Sequence, residues 1–164
     1  MYDARTPFGR IRRSFKLAGA LAALLVLAPP VAAQQAPTYD EALATKYGAD
    51  EYGMRAYVLV ILKTGPNTMP AGPEREAMFR GHFANMQRLS DEGKLVLAGP
   101  LDGVDGWRGL FVFAVADIDE ARQLAATDPV LVNGEMVAEY HAYYGSAALI
   151  GLREVHERLA RKQP

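Results

Sequence analysis

The sequence predicts an α+β domain built around one antiparallel sheet, with elements in the order β-α-β-β-α-β and an extra helix at the C-terminus. Three observations predict it. Four short runs rich in β-branched and aliphatic residues occur at residues 56–62, 94–101, 107–116 and 135–144, each too short for a globular helix of ordinary length. Two segments with helical spacing of apolar residues follow the first and third runs, at 74–92 and from 118 onward. Gly and Pro punctuate nearly every junction. That order is the split βαβ arrangement of ferredoxin-like domains.

Each element has its own signal. Residues 56–62 (AYVLVIL) are continuously apolar and closed by Lys63-Thr64-Gly65-Pro66, which reads as the first strand. Residues 67–73 form a turn-rich loop ending in Pro73, a residue suited to the first helical turn. The helix over 74–92 is stopped by Gly93. The strand over 94–101 ends in Gly99-Pro100, the loop Asp102–Gly106 (DGVDG) reads as hairpin-like, and the strand over 107–116 follows. Asp117 caps the next helix, with Glu120 three residues on in capping-box spacing. Ile118, Ala121, Leu124 and Ala125 form its buried stripe, and Asp128-Pro129 ends it. Residues 130–134 are a brief connector to the fourth strand. Residues 147–162 are expected as one amphipathic helix through Leu149, Leu152, Val155 and Leu159.

The chain divides by composition into an export signal over 1–33, an N-terminal extension over 34–55, a core domain over 56–146 and a C-terminal helical segment over 147–164. Residues 1–16 carry Arg5, Arg10, Arg12, Arg13 and Lys16 against Asp3 alone, and residues 17–28 are uncharged and built mostly of Leu and Ala. Pro29-Pro30 and the small residues Val31-Ala32-Ala33 follow. A positive start, a short apolar run and an A-x-A-like exit describe a cleavable signal peptide. The run falls short of the roughly 20 residues that span a bilayer, so no stable membrane span is expected after cleavage. Arg12-Arg13-Ser14-Phe15-Lys16 also resembles a twin-arginine signal, with Ile11 departing from the usual polar residue. Either route implies a periplasmic or secreted protein. In the extension, residues 39–47 (YDEALATKY) suit a short helix with Thr38 as its cap and Gly48 as its stop.

Composition excludes several functions. Loss of residues 1–33 removes five basic side chains and one acidic one, leaving 13 basic against 18 acidic and a net charge of −5. Nucleic acid requires a basic footprint, and none is present. The absence of cysteine removes disulfides, thiol nucleophiles and thiolate metal sites. His82, His141 and His156 match no metal-ligand spacing. Gly103 and Gly106 precede a strand rather than a helix, so they form no phosphate cradle. No metal and no cofactor is expected.

Two side chains stand out. With Phe79 at zero and about 100° per residue, Phe83 falls near 40°, Met86 near 340°, Leu89 near 280° and Met78 near 260°. His82, near 300°, lies inside that apolar arc and faces the sheet. It is either a satisfied core histidine or a general acid/base. Asp128-Pro129 has the form of a helix cap and first position, yet the periodicity from Ala121 also turns Asp128 toward the interior, where it would fix the imidazole tautomer. His141 shares a face with Glu139 and Tyr143 and reads as a packed strand histidine or the lining of a cleft or interface. His156 reads as solvated, and Trp107-Arg108 as the edge of the core or the rim of a pocket. The first and third strands are apolar on both faces, and two helices cover only one. The other face calls for a second copy, so a homodimer with sheets packed face to face is expected.

Gly81-His82-Phe83, Asp91-Glu92-Gly93-Lys94-Leu95 running into Ala98-Gly99-Pro100, and Ala126-Thr127-Asp128-Pro129 together resemble the YCII-related domain family of the dimeric α+β barrel superfamily, over roughly residues 56–144. The resemblance implies ferredoxin-like dimers whose sheets close into a barrel, and a His–Asp pair acting in a pocket, which maps onto His82 and Asp128. Relatives include a dehydrochlorinase of a chlorinated hydroxyhydroquinone and, more distantly, muconolactone isomerases. The export signal and both terminal additions depart from the family's usual form. Two functions are therefore open: a cofactor-independent lyase or isomerase acting on a small organic ligand through His82 and Asp128, or a non-catalytic binding or structural dimer.

Overall fold

A computed structural model describes residues 38–162. The expected signal segment, residues 1–33, lies outside the described residues. Helix α1 (Glu41–Tyr47) precedes strand β1 (Met54–Thr64), helix α2 (Pro73–Asp91), strand β2 (Leu95–Pro100), strand β3 (Trp107–Phe113), helix α3 (Ile118–Ala125), a one-turn helix α4 (Pro129–Val132), strand β4 (Met136–Ser146) and helix α5 (Leu152–Leu159). The sheet order is β2-β3-β1-β4 with every neighbouring pair antiparallel. This is the ferredoxin-like α+β fold expected from the pattern.

Alternation along β1 separates two faces. Val58, Val60 and Leu62 join Phe111 and Phe113 of β3 and Leu95 of β2 beneath the helices. Met78 and Leu89 of α2, Ala121 and Ala125 of α3, and Val130 of α4 complete that core. The opposite face carries Tyr57, Leu59 and Ile61, aligned by register with Val112 and Leu110 on one side and with Tyr143, His141 and Glu139 on the other. Tyr57 is fully buried there and donates from Oη to the Ser146 carbonyl at 2.9 Å.

The local signals act mostly as chemistry requires. Pro73 opens α2, with Glu74 and Glu76 in its first turn and Arg88 in its last. Asp117 accepts from the Asp119 and Glu120 amides at 2.7 and 3.0 Å. The capping box is only half formed, because the Glu120 side chain turns outward to Lys94 at 2.8 Å.

Four expectations are corrected. Residues 130–134 are not a plain connector, since Pro129–Val132 form a helical turn capped by Asp128. The cap of α1 is Asp40, whose carboxylate accepts from the Leu43 amide at 2.9 Å, rather than Thr38. The loop over 102–106 does connect the antiparallel pair β2 and β3 as a hairpin, as expected, and it ends in a 3-10 turn, Val104–Gly106, in which Asp105 is left-handed. Residues 147–162 do not form one helix: a 3-10 turn, Ala147–Gly151, precedes α5, and Val155 and Leu159 stand 53% and 76% exposed. The buried arc of α2 is rotated from its apolar stripe, so that Phe83 is 56% exposed while the polar Asn85 is buried. The reason is that α2 packs against α4 as well as the sheet, which turns the face near Asn85 inward.

Candidate functional site

His82 and Asp128 meet. His82 lies on the sheet side of α2 with the whole residue 7% exposed, and Asp128 is fully buried. The imidazole Nδ1 stands 2.9 and 2.7 Å from the two carboxylate oxygens. Asp128 Oδ1 also accepts from the Val130 amide at 3.1 Å, so one carboxylate caps α4 and holds the imidazole. The same carboxylate caps the helix and meets the ring, so Asp-Pro at a helix start and Asp as a histidine partner are not competing roles here.

A glycine makes the contact possible. A Cβ on Gly81 would stand 3.0 Å from Pro129 Cγ, closer than ordinary van der Waals packing. With hydrogen at that position, α2 and α4 approach until the His82 ring reaches Asp128. The ring is then walled by aromatics. Phe111 stacks on it at 6.0 Å between centroids and 26° between planes, Phe79 meets it edge-on at 6.1 Å, and Phe83 lies at 5.4 Å.

The tautomer follows from the partner. A carboxylate accepts only, so Nδ1 carries the proton and donates it, and the neutral ring keeps its lone pair on Nε2. Among the described residues no group bonds Nε2. That atom is not sealed, because the sole buried side-chain nitrogen or oxygen found without a partner there is Asn85 Nδ2.

A second tie runs beside the first. Thr127 Oγ1 lies 2.9 Å from Asn85 Oδ1, and Arg88 Nη2 donates to Asn85 Oδ1 at 2.8 Å and to Thr127 Oγ1 at 3.0 Å. Successive residues Thr127 and Asp128 thus bind successive turns of α2 through Asn85 and His82. Sequence reasoning did not single out Asn85, although its helical angle near 240° places it beside His82.

A further buried carboxylate also went unnoticed. Glu135, fully buried just after α4, accepts from the Met69 amide at 2.7 Å and from Arg75 Nη2 at 2.7 Å. Burial pushes this carboxyl up, but the Met69 N–H and the Arg75 guanidinium, helped by the charge of Arg108, outweigh it and hold the group below its ordinary range. Arg75 lies over the Phe79 ring at 4.7 Å, and Phe79 in turn touches His82. No periodicity marks Glu135, which sits at the first turn of the chain into a strand.

The other expected residues stand apart. His141 is on the open sheet face, not packed, with Nε2 2.9 Å from Glu139 Oε1, and Glu139 also meets Lys63 at 3.2 Å. His156 is exposed on α5, as is Trp107 at the start of β3. Among the described residues no three His, Cys, Asp or Glu side chains gather as metal ligands, and no helix is long and apolar enough to cross a membrane. Two grooves, of about 380 and 340 Å³, are lined respectively by residues of α3, α4 and β4 and by the loop entering α2; neither His82 nor Asp128 lines them.

Comparison with known families decides the lineage. The family model for the YCII-related domain matches residues 56–142. The chain belongs to the YCII-related domain family. The match spans the sheet from Ala56 to Ala142 and includes both His82 and Asp128, while α1, the first two residues of β1, the end of β4, the 3-10 turn after it and α5 lie outside it. No curated protein matches the chain. In this YCII-related domain the residues that carry the resemblance are also those that build the contact: Gly81 gives the approach, His82 the ring, and Thr127-Asp128-Pro129 the cap.

Proposed function

We propose that this YCII-related protein is an exported homodimer whose His82–Asp128 pair moves a proton on a compact, cyclic or aromatic organic ligand, in an elimination or isomerisation that needs no cofactor. The observation that carries the proposal is the 2.7 Å contact between Nδ1 and the buried, pre-capped Asp128 carboxylate, which leaves Nε2 as the basic atom. Nε2 would take a proton from a carbon next to an electron-withdrawing group, and Asp128 would hold the resulting imidazolium. In an elimination the C–H electron pair forms the new double bond as the leaving group departs with its own pair. In an isomerisation the imidazolium returns the proton at another carbon. The aromatic walls suit a flat ligand.

The second reading is a non-catalytic dimer in which the same pair ties α2 to α4. Close packing of the ring and the separation of both grooves from it favour that reading. His82→Gln separates the two. A variant that keeps its melting temperature and loses turnover on a hit from a thermal-shift screen of phenols and lactones supports the enzyme. A large loss of stability with no ligand found supports the tie.

The dimer rests on the sheet face away from the helices, where the partly exposed Leu59 and Leu110 and the exposed Leu97, Tyr143 and Val137 share one surface, with Ile61 and Val112 already buried beneath them. Light scattering on the purified protein is expected to give twice the chain mass, and Leu110→Glu to return it to the monomer. Export is tested by the N-terminus of the periplasmic protein, expected at Gln34.

A further inference from the structure

We propose that the groove between α3, α4 and β4 is a second binding site, separate from the His82–Asp128 pair, for a compact apolar molecule ending in a carboxylate. Leu131 and Val132 of α4, Met136, Ala138 and Tyr140 of β4 and Ala126 after α3 give it apolar walls. Its volume, about 380 Å³, sits at the small end of the roughly 300–1,000 Å³ typical of small-molecule sites.

The one charge in that lining, Arg122, sets the ligand's chemistry. Its guanidinium lies 4.6 Å over the Tyr140 ring, and such stacking holds the fork in one orientation at little entropic cost to a ligand. Several other arginines are committed: Arg55 donates to the Tyr47 carbonyl, Arg75 to Glu135, Arg88 to Glu92, and Arg153 to Asp91 and Glu157; of those that donate to no group, Arg122 is the one that lines this groove. Among the described residues Arg122 donates no hydrogen bond. Its acidic neighbour, Asp119, stands 3.7 Å from Nε, and both side chains are mostly exposed, so solvent weakens that pair. A stacked guanidinium with free donors at the end of an apolar groove matches a carboxylate bidentately, while the aliphatic part of the ligand covers Leu131, Met136 and Ala138. The site shares α4 with the dyad: Asp128 caps its start, and Leu131 and Val132 line the groove.

Octanoate tests the assignment, with octan-1-ol as the neutral control and methyl-labelled protein as the reporter. Octanoate is expected to shift the methyl signals of Leu131, Val132 and Met136 saturably, and octanol to bind about tenfold or more weakly, the value of a charge-assisted hydrogen bond. Arg122→Gln should bring octanoate down to the level of octanol. Arg122→Lys, which keeps the charge without the fork, should fall between. Equal binding of octanoate and octanol, an unchanged affinity in Arg122→Gln, no saturable shift, or shifts confined to another surface would each overturn it. Neither substitution touches the dyad, so the outcome is independent of any activity of His82.

Discussion

Two carboxylates bracket the one-turn helix α4, and both are fully buried. Asp128 stands at its start and Glu135 just beyond its end. Each accepts one backbone amide, from Val130 and Met69 respectively. They differ in the remaining partner. Glu135 faces the guanidinium of Arg75, whereas Asp128 faces the imidazole of His82, whose second nitrogen stays free of protein partners among the described residues. Equal burial therefore accompanies a carboxylate–guanidinium pair at one end of α4 and a carboxylate–imidazole pair at the other. The first suits architecture and the second can also serve chemistry.

The largest effect is expected at the guanidinium end. Arg75→Ala leaves Glu135 buried with one amide donor, and removal of one member of a buried pair costs about 3–5 kcal/mol; denaturant unfolding measures it. If the loss were no more than that of a surface pair, Glu135 would not anchor this end of α4. At the other end, Asp128→Ala removes a cap worth about 1 kcal/mol and strands the Nδ1–H of His82, which costs a further 1–3 kcal/mol. Asp128→Asn keeps an acceptor for both donors and should cost less than half as much as Asp128→Ala. A similar cost for both would mean that the negative charge, and not the hydrogen bonding, holds α4.

Acid separates the two ends further. The folded Glu135 carboxyl lies below its unfolded value, so its stabilisation is complete above the ordinary carboxylate range. It is lost as pH falls through the unfolded and then the folded value. Thermal melts from neutral to acid pH should show a slope that Glu135→Gln flattens. An unchanged slope would place the acid sensitivity elsewhere. The smallest effect belongs to the exposed Lys63–Glu139 pair on the sheet face away from the helices, where Glu139→Gln is expected to leave the melting temperature unchanged within the error of a thermal melt.

Much of this was legible in the sequence because it depended on local rules. Alternating and continuous apolar runs located four strands, and Gly, Pro and Asp located the turns and caps. His82 was legible because an ionisable ring in the apolar arc of a helix conflicts with its surroundings unless a partner answers it. Asp128 was legible through its motif more than through its position. What stayed hidden depends on distant packing. The rotation of α2 that exposes Phe83 and buries Asn85 comes from α4, a helix too short to show periodicity. Glu135 looked like the start of a strand, since its partners Met69 and Arg75 are about 60 residues away in the chain and spacing carries no trace of them. The end of the chain misled for the opposite reason. Val155 and Leu159 have ideal helical spacing, yet no element of the described chain covers them.

The proposed chemistry turns on the proton of one ring. Nitrogen-15 NMR of histidine-labelled protein at neutral pH reads it directly. In the neutral form of the ring, the contact with Asp128 calls for hydrogen on Nδ1 and a bare Nε2, and Asp128→Asn should disturb that signal. A His82 protonated at Nε2 with Nδ1 bare would contradict a proton-accepting role for this ring, because Asp128 would then be the donor and no basic nitrogen would remain to meet a ligand.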